Sequence, residues 1–236
     1  MITHCAARGF PSPLPNLCRA GALQPGNKVH FHAGRYGEAV ELIKRHHYSR
    51  RAPANVQCVG TLHDEGGLFG DYGNAVAACV FSIPPTRWSE EVWELSRLVR
   101  DDAPRPLTLL ISKTCKAAKA KGAVLLVSFA DKTHGHHGGV YQAASWNYSG
   151  ARDRRVDGVV INGSFIPGRS CNSRWGTRSP SKLAGILNQD VQPHYDEGKH
   201  LYWKALTREG VKRAFRLGLE SIAYPKPDVN MDVSAE

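Results

Sequence analysis

The sequence predicts an α/β (α+β) fold in which a mixed central sheet is flanked by helices. Short apolar segments of strand length recur along the chain, and segments of helical spacing separate them. The longest apolar run, residues 123–129, has only Ser128 as a polar member, which indicates a strand buried on both faces of a sheet. A loop rich in histidine and glycine follows that strand directly and leads into a helix-like segment.

In the first half of the chain, strands are predicted wherever apolar residues alternate. The predicted strands are residues 29–33, 55–62, 75–83 and 92–99, with 55–62 and 75–83 forming an antiparallel hairpin. Residues 34–47 predict a helix, because apolar residues recur at helical spacing from Tyr36 to His47.

In the second half, proline and glycine mark the ends of the predicted elements. Pro106 suits the first turn of a helix, and helical spacing continues through residues 107–118. After the buried strand 123–129, a helical segment is predicted from Gly138-Gly139 to Asn147. The remaining predictions are a strand at 156–165, a loop at 169–179, a helix at 179–188, a strand at 200–206 and a helix at 208–219.

The predicted organisation is one catalytic domain between two poorly structured ends. Residues 1–27 are rich in Pro, Gly and Ala and predict an extended arm, residues 28–220 predict a single domain, and residues 221–236 a loose tail. No apolar run approaches the roughly 20 residues that span a membrane, so no membrane partner is expected. The six cysteines include no CxxC pair, which indicates core thiols in a reducing cytosol.

The chain is strongly basic, with 31 Lys and Arg against 21 Asp and Glu, a net charge of +10. A protein this basic usually binds a polyanion. Residues 152–182 include seven basic residues but only two acidic ones, together with Phe165 and Trp175. This combination of basic and aromatic side chains suits contact with phosphates and stacking on bases. The residues expected to contact nucleic acid are Arg50, Arg51, Arg152, Arg154, Arg155, Arg169, Arg174, Arg178 and Lys182.

A candidate site follows the buried strand. Asp131 comes at the carboxyl end of that strand, where open α/β sheets bind ligands. The next loop holds His134, His136 and His137, which could ligate iron or zinc together with Asp131, or could contact phosphates instead. The sequence leaves both readings open.

Two further polar groups occur at strand and helix ends. His47 ends the first predicted helix beside Tyr48, in a crowded polar stretch that favours a site. Arg97 is predicted to share a strand face with Trp93 and Leu95, so its guanidinium should be desolvated and need an anion. Asp131 or a phosphate would satisfy that need.

The order of elements resembles the fold of the GCN5-related N-acetyltransferases over residues 28–206. Three motifs narrow this resemblance: HHYSRR at 46–51, ELSRLVR at 94–100 and FADKTHGHHGGVYQAASWNYSG at 129–150. Together they resemble the Mom-type phage DNA-modification proteins. That family has an acetyltransferase-like fold, converts adenine in DNA to N6-carbamoylmethyladenine and so protects phage DNA from host restriction. The resemblance implies that the chain works in the cytoplasm of the infected bacterial host.

The resemblance also implies a set of site residues. The expected catalytic residues are His47, Tyr48, Arg97, Asp131 and Tyr141. The expected substrate contacts are Ser96, Ser112, His134, His136 and Trp146. Duplex adenine hides its N6 amino group, so the base must be flipped out or already unpaired, and an aromatic side chain could stack on it. Attack by N6 on an acyl donor needs a base and an oxyanion stabiliser. The candidate base is Asp131, or His47 oriented by Asp131, and Arg97 is the candidate for stabilising the anion or binding a phosphate of the donor.

The sequence leaves the group donor open between acetyl-CoA and glycyl-tRNA. Acetyltransferases bind the coenzyme A pyrophosphate on a glycine-rich loop that opens a helix. Here the corresponding loop, residues 100–106, has no glycine, two prolines and two acids, which argues against that mode of binding. A glycyl group would carry the two carbons and the nitrogen of a carbamoylmethyl group. The expected partners are double-stranded DNA, tRNA if it is the donor, and a second copy of the chain if a homodimer forms.

Three other functions compete with this expectation. An N-acetyltransferase that acts on a protein or small-molecule amine with acetyl-CoA fits the fold but conflicts with the loop just described. An adenine-N6 methyltransferase needs a (D/N)PP(Y/F) motif, and Pro84-Pro85 lacks both flanking residues. A DNA-binding module without activity would be expected to show a helix-turn-helix or zinc-finger pattern, and neither is found.

Overall fold

The structure of the protein, a computed structural model, describes residues 29–65, 72–84, 88 and 92–225. The arm predicted for residues 1–27 and residues 226–236 of the predicted tail lie outside the described residues. Among the described residues, no helix is both long and apolar enough to cross a bilayer.

Ten strands form two sheets in the described part of the chain. They are β1 Val29–Ala33, β2 Val56–Asp64, β3 Ala75–Ser82, β4 Val92–Arg100, β5 Leu125–Asp131, β6 Asn147–Arg152, β7 Val156–Ile161, β8 Ser164–Pro167, β9 Val191–Tyr195 and β10 Lys199–Ala205. The large sheet has the order β1-β2-β3-β4-β5-β10-β6, and the small one β8-β7-β9. In the large sheet β4 and β5 are parallel and the other neighbours antiparallel, which makes it a mixed sheet.

Helices cover both faces of the large sheet, which confirms the predicted fold class. They are α1 Tyr36–His46, α2 Leu107–Ala120, α3 Gly139–Ala143, α4 Gly168–Trp175, α5 Pro180–Leu187 and α6 Arg208–Arg216. Leu110 and Ile111 of α2 pack with Phe81 on one face. Ile43 of α1 and Ala214 of α6 pack on the opposite face, against neighbouring groups of strands.

Residues 153–198 form an insertion between the adjacent strands β6 and β10. The small sheet, α4 and α5 share a separate apolar core of Val159, Ile161, Cys171, Leu183 and Val191. The buried carboxylate of Asp196 fixes the base of the insertion, because it accepts hydrogen bonds from the backbone of Arg155 and Gly198.

A β-bulge in β4 changes the predicted face of Arg97. Val80 of β3 faces Arg97 and the next residue, Phe81, faces Leu95, so one residue of β3 is matched by two of β4. Ser96 is the extra residue. Arg97 is therefore turned away from the apolar face of Leu95 to the face that carries α1, which corrects the prediction that the two residues share a face.

Three predicted elements of the second half differ in the structure. The helix predicted to reach Asn147 ends at Ala143, because Ser145 has φ 57° and the chain then enters β6 as an edge strand. The strand predicted at 156–165 is a hairpin, since Asn162 and Gly163 have φ of 50° and 74° and form its turn.

The loop predicted at 169–179 contains α4. Its Cys171 and Trp175, one helical turn apart, pack into the core of the insertion.

The first residues of the predicted tail are held against the large sheet. Ile222 forms an antiparallel bridge with Tyr148, and the hydroxyl of Tyr224 donates to the backbone oxygen of Trp146 at 2.9 Å. Residues 221–225 are therefore not loose.

Candidate active site

A cleft opens where the parallel strands β4 and β5 separate. Their pairing covers Val92 to Glu94 on β4 and Leu125 to Val127 on β5, although both strands continue beyond it. Beyond this pairing the backbones of the two strands no longer bond to each other, and the cavity between them measures about 80 Å³. Residues that line it include His47, Tyr48, Ser96, Phe129, His136 and Tyr141.

His47 lies at the end of α1 as a neutral hydrogen-bond donor. The backbone N–H of Ser49 donates to its Nδ1 at 3.1 Å, and the Ser49 hydroxyl lies 2.9 Å from the same nitrogen. A backbone N–H only donates, so Nδ1 accepts and the neutral ring carries its hydrogen on Nε2. Burial, and then the charge of Arg97, lowers the pKa of His47 to about 3. His47 therefore offers an N–H to a ligand instead of acting as a base.

The depressed pKa of His47 makes a prediction about stability. The unfolded chain takes up a proton on this imidazole at its ordinary pKa of about 6.5, whereas the folded protein does so only at about pH 3. Acid therefore favours the unfolded state between these values. The free energy of unfolding should fall by up to about 1.4 kcal/mol per pH unit because of His47, and His47→Gln should remove that part of the slope. Urea unfolding across this pH range measures it, and equal slopes in both proteins would contradict the assignment.

Tyr48 forms a stack of rings with two histidines at the mouth of the cleft. Its ring centroid lies 4.3 Å from that of His47 and 4.0 Å from that of His134, with small interplanar angles of 30° and 34°. The ring of His136 lies at 6.0 Å on a steeper angle. His47 and His134 cover the two faces of the Tyr48 ring, so a further planar group could extend this stack only on an outer ring, such as that of the exposed His134.

Asp131 pairs with a lysine and not with Arg97. Its Oδ2 lies 2.8 Å from Nζ of Lys199, and its Oδ1 accepts from the backbone N–H of Thr133 at 3.1 Å. Burial alone would raise the pKa of this carboxyl, but the hydrogen bond and charge of Lys199 outweigh burial and lower the pKa. Asp131 is thus a weaker base than an ordinary carboxylate.

Glu94 is a half-buried carboxylate that the sequence analysis did not single out. It faces Val127 across the parallel pair, which places it on the same sheet face as Asp131. Burial raises its pKa, while the charges of Arg169 and Arg97 oppose the rise. Glu94 is the first residue of the ELSRLVR motif, from which Arg97 is predicted as a site residue. The motif itself does not show that the glutamate is buried.

Arg97 is held by backbone carbonyl groups. Nε donates to the oxygen of Arg51 at 3.0 Å and Nη1 to the oxygen of Ser96 at 2.5 Å. Burial lowers its pKa. The Asp131 carboxylate that the sequence offered as its partner is taken by Lys199.

The remaining predicted site residues fall into two groups. Tyr141 lines the cleft, and burial raises the pKa of its phenol, so it stays protonated and able to donate. Trp146 is fully buried in the core, and Ser112 lies on the exposed face of α2 outside the lining. Neither residue lines the cleft, and their contact with substrate stays a prediction.

The three loop histidines do not assemble as metal ligands. The ring centroids of His134 and His136 are 6.2 Å apart, and the carbonyl of His137 accepts from the Tyr202 hydroxyl at 2.6 Å. In the described ranges, no group of three or more His, Cys, Asp or Glu is arranged to hold a metal ion.

The loop between β4 and α2 is closed by its own ion pairs. Arg105 forms hydrogen bonds to both oxygens of Asp64 and of Asp101 at 2.5 to 3.1 Å. Arg100 donates to three backbone oxygens of residues 101–103. Both cations of this loop are therefore occupied, and a pyrophosphate would have to compete with two carboxylates for Arg105.

The basic residues of the insertion and its borders lie on the surface. Arg154 donates to the backbone oxygen of Asp196 and lies over the ring of Tyr195, and Arg174 lies over the ring of Trp175, each 5.9 Å from the ring centroid. The other exposed members are Arg50, Arg51, Arg152, Arg155, Arg169, Arg178 and Lys182. Arg51 reaches α4, where its Nη1 donates to the Ser170 hydroxyl at 3.4 Å.

The model of the Mom protein family matches residues 30–226. This chain belongs to the Mom protein family. The resemblance indicated by the three sequence motifs is therefore confirmed. The cleft of this Mom-family chain lies between β4, which contains the second motif, and β5, whose last residues are the first residues of the third motif.

Solved acetyltransferases are also similar to this Mom-family chain, at low identity. The ribosomal-protein-S18-alanine N-acetyltransferase from Escherichia coli is 9% identical, with a TM-score of 0.44 over 76% of this chain and 95% of that one. A putative acetyltransferase from Salmonella typhimurium, solved with its cofactor acetyl-CoA, is 9% identical, with a TM-score of 0.46 over 77% and 95%. Comparison with curated proteins gave no match.

Proposed function

We propose that this chain is a transferase that converts adenine in DNA to N6-carbamoylmethyladenine and so protects phage DNA from restriction in the host cytoplasm. Membership of the Mom protein family is the observation that carries the proposal. The geometry of the cleft supports it independently, because a planar base could stack on the exposed ring of His134, which continues the Tyr48 stack, while a carboxylate and an arginine lie close to Tyr48.

The chemistry of adenine sets what the cleft must supply. The N6 lone pair is delocalised into the ring, so the amino group needs a base to take its proton as the new bond forms. Neither Glu94 nor Asp131 lines the cleft itself, although Glu94 adjoins the lining residue Leu95. Glu94 suits this role better than Asp131, since burial raises the pKa of Glu94 whereas Lys199 lowers that of Asp131. We therefore assign the role of general base to Glu94 and not to Asp131, and Asp131 holds Lys199 in place through their ion pair.

Two neutral donors are placed to hold the developing negative charge on the donor group. His47 offers its Nε2–H, because Ser49 occupies the other ring nitrogen. Tyr141 keeps its hydroxyl hydrogen because burial raises the pKa of the phenol. Donors fixed before the reaction stabilise a developing oxyanion without reorganising. Attack of N6 on the carbonyl carbon of a glycyl donor expels the tRNA hydroxyl group and gives N6-glycyladenine. That product is an isomer of N6-carbamoylmethyladenine, in which N6 is bonded to the methylene carbon, so an isomerisation that exchanges these bonds must follow the transfer.

Of the two candidate donors, glycyl-tRNA carries the two carbons and the nitrogen of a carbamoylmethyl group, whereas acetyl-CoA carries no such nitrogen and suits the second candidate function below. The diverging strands of the cleft suit an extended donor of either kind. The closed loop at Arg105 favours the donor that does not need a pyrophosphate cradle there, which is glycyl-tRNA. The second candidate function is an acetyltransferase that acts on a protein or small-molecule amine. The cleft between the diverging strands β4 and β5 favours it, because such a cleft could also hold an acyl donor and an amine that is not part of a nucleic acid.

The experiment that tests the proposal is the nucleoside composition of DNA from cells that produce the chain. The DNA should contain a deoxyadenosine derivative that carries a carbamoylmethyl group on N6. DNA with only unmodified deoxyadenosine, in cells that contain soluble protein, would favour the second candidate.

A further inference from the structure

Three arginines from separate segments meet beside the cleft. The Arg97 guanidinium on β4 donates to the backbone oxygen of Arg51, which follows α1. The Arg51 guanidinium in turn donates to the hydroxyl of Ser170 in α4, next to Arg169. Hydrogen bonds to uncharged groups thus hold Arg51, Arg97 and the start of α4 together, although these segments lie far apart in the sequence.

The three cations lack carboxylate partners at salt-bridge distance. Within the part of the chain that the structure describes, no carboxylate oxygen lies within 4.0 Å of a guanidinium nitrogen of Arg51, Arg97 or Arg169. Arg105, which is also held within the protein, shows the contrast, since it is paired with both Asp64 and Asp101. The cluster therefore has three positive charges with no carboxylate in contact, and the nearby Glu94 offsets only part of them.

Burial makes the charge of Arg97 costly, whereas Arg51 and Arg169 are exposed. Desolvation lowers the pKa of Arg97, and the positive charge of Arg169 lowers it further, although Tyr48 and Glu94 act in the opposite direction. A partly desolvated cation with other cations near it is stabilised when an anion binds between them. A guanidinium also has a planar set of donors that matches the oxygens of a phosphate group.

We propose that Arg51, Arg97 and Arg169 form a phosphate-binding site at the mouth of the cleft. Arg51 and Arg97 come from the large domain, whereas Arg169 comes from the insertion, so the insertion completes the site. A phosphate held here lies beside Glu94 and Tyr48, because the charges of Arg97 and Arg169 act on Glu94 and that of Arg97 acts on Tyr48. The phosphate site itself does not depend on the proposed function. Only the identity of the phosphate, from DNA or from the group donor, rests on it.

Two sources could supply the phosphate, and both have the same chemistry. A phosphodiester of the DNA strand next to the target adenine would hold the flipped nucleotide over the cleft. A phosphate of the group donor would instead place the reactive group. If the phosphate belongs to DNA, loss of the site raises the KM for DNA. If it belongs to the group donor, loss of the site raises the KM for the donor.

The test compares Arg169→Gln with Arg174→Gln. Both residues are exposed and lie on α4, and both substitutions remove one positive charge, but Arg174 lies over the ring of Trp175 and not beside Arg51. Binding of inorganic phosphate and of pyrophosphate is measured by NMR titration of the purified full chain, which needs no turnover. Arg169→Gln should weaken binding by about 10-fold or more, the size of a charged hydrogen bond, and Arg174→Gln by less than about twofold.

The outcomes separate the site from the function. Equal losses in the two variants would show a general surface charge and overturn the proposal, as would no loss in either. Where modification is measured, a raised KM for DNA in Arg169→Gln identifies a DNA phosphodiester, and a raised KM for the donor identifies a donor phosphate. Selective loss of phosphate binding in a protein that modifies no DNA would sustain the site and refute the proposed function.

Discussion

Glu94→Gln should lower the rate of adenine modification by about 10²- to 10⁴-fold, the usual contribution of a positioned general base. The amide keeps the shape of the side chain but cannot take the proton from N6. The fold should persist, because Glu94 is half-buried and burial already disfavours its charge. Modification by the parent protein should also fail on acidification at a pH above the ordinary pKa of glutamate, since burial raises the pKa of Glu94.

Glu41→Gln is the matched control. Glu41 is an exposed glutamate of α1 that pairs with Lys44 on the surface, away from the cleft, so its substitution should leave the rate unchanged. Single-turnover kinetics with duplex DNA measure both variants. If Glu94→Gln kept the parent rate while Asp131→Asn lost it, the base would be Asp131 and the assignment to Glu94 would be refuted.

Gly138→Ala should destabilise the protein by about 3 kcal/mol or more and abolish modification, through a clash added to an unfavourable backbone conformation. Gly138 has φ 85°, and a Cβ atom there would lie 2.2 Å from the Tyr202 ring. That ring holds the cleft loop, since its hydroxyl donates to the backbone oxygen of His137 and accepts from Gln142. Pushing the ring away would displace the loop that carries His134 and His136.

Gly135→Ala separates the clash from the backbone cost. Gly135 lies in the same loop and has φ 68°, but nothing lies within 4 Å of a Cβ atom there. It should lose only about 1–2 kcal/mol, the cost of a left-handed conformation for alanine. Urea unfolding gives both values. Equal losses in the two variants would mean that Tyr202 moves freely and does not hold the loop.

The large sheet could be predicted because its strands are buried and therefore apolar. Residues 29–33 coincide with β1, and the run at 123–129 overlaps β5. The edge strands β6 and β9 were missed, because Asn147–Arg152 is largely polar and Val191–Tyr195 contains a proline. Their pairing depends on partners that are distant in the sequence, which local patterns do not contain.

The site could be predicted where its residues lie within the three sequence motifs. His47, Tyr48, Ser96, His136 and Tyr141 all line the cleft. Other features depend on tertiary contacts: the bulge at Ser96 reorients Arg97, and Lys199 of β10 takes the carboxylate of Asp131. The raised pKa of Glu94 follows from burial in the folded protein, so a periodic pattern along β4 could not reveal it.

The central claim, that the chain modifies adenine in DNA, is tested most directly by mass spectrometry of nucleosides. DNA is taken from bacterial cells that produce either the parent chain or Glu94→Gln at equal soluble levels, grown with isotopically labelled glycine. The parent should yield N6-carbamoylmethyl-deoxyadenosine, and Glu94→Gln should not. Fragmentation must separate this product from its N6-glycyl isomer, which has the same mass. Incorporation of the label would point to a glycyl donor. Only unmodified deoxyadenosine in cells with soluble parent protein would contradict the claim.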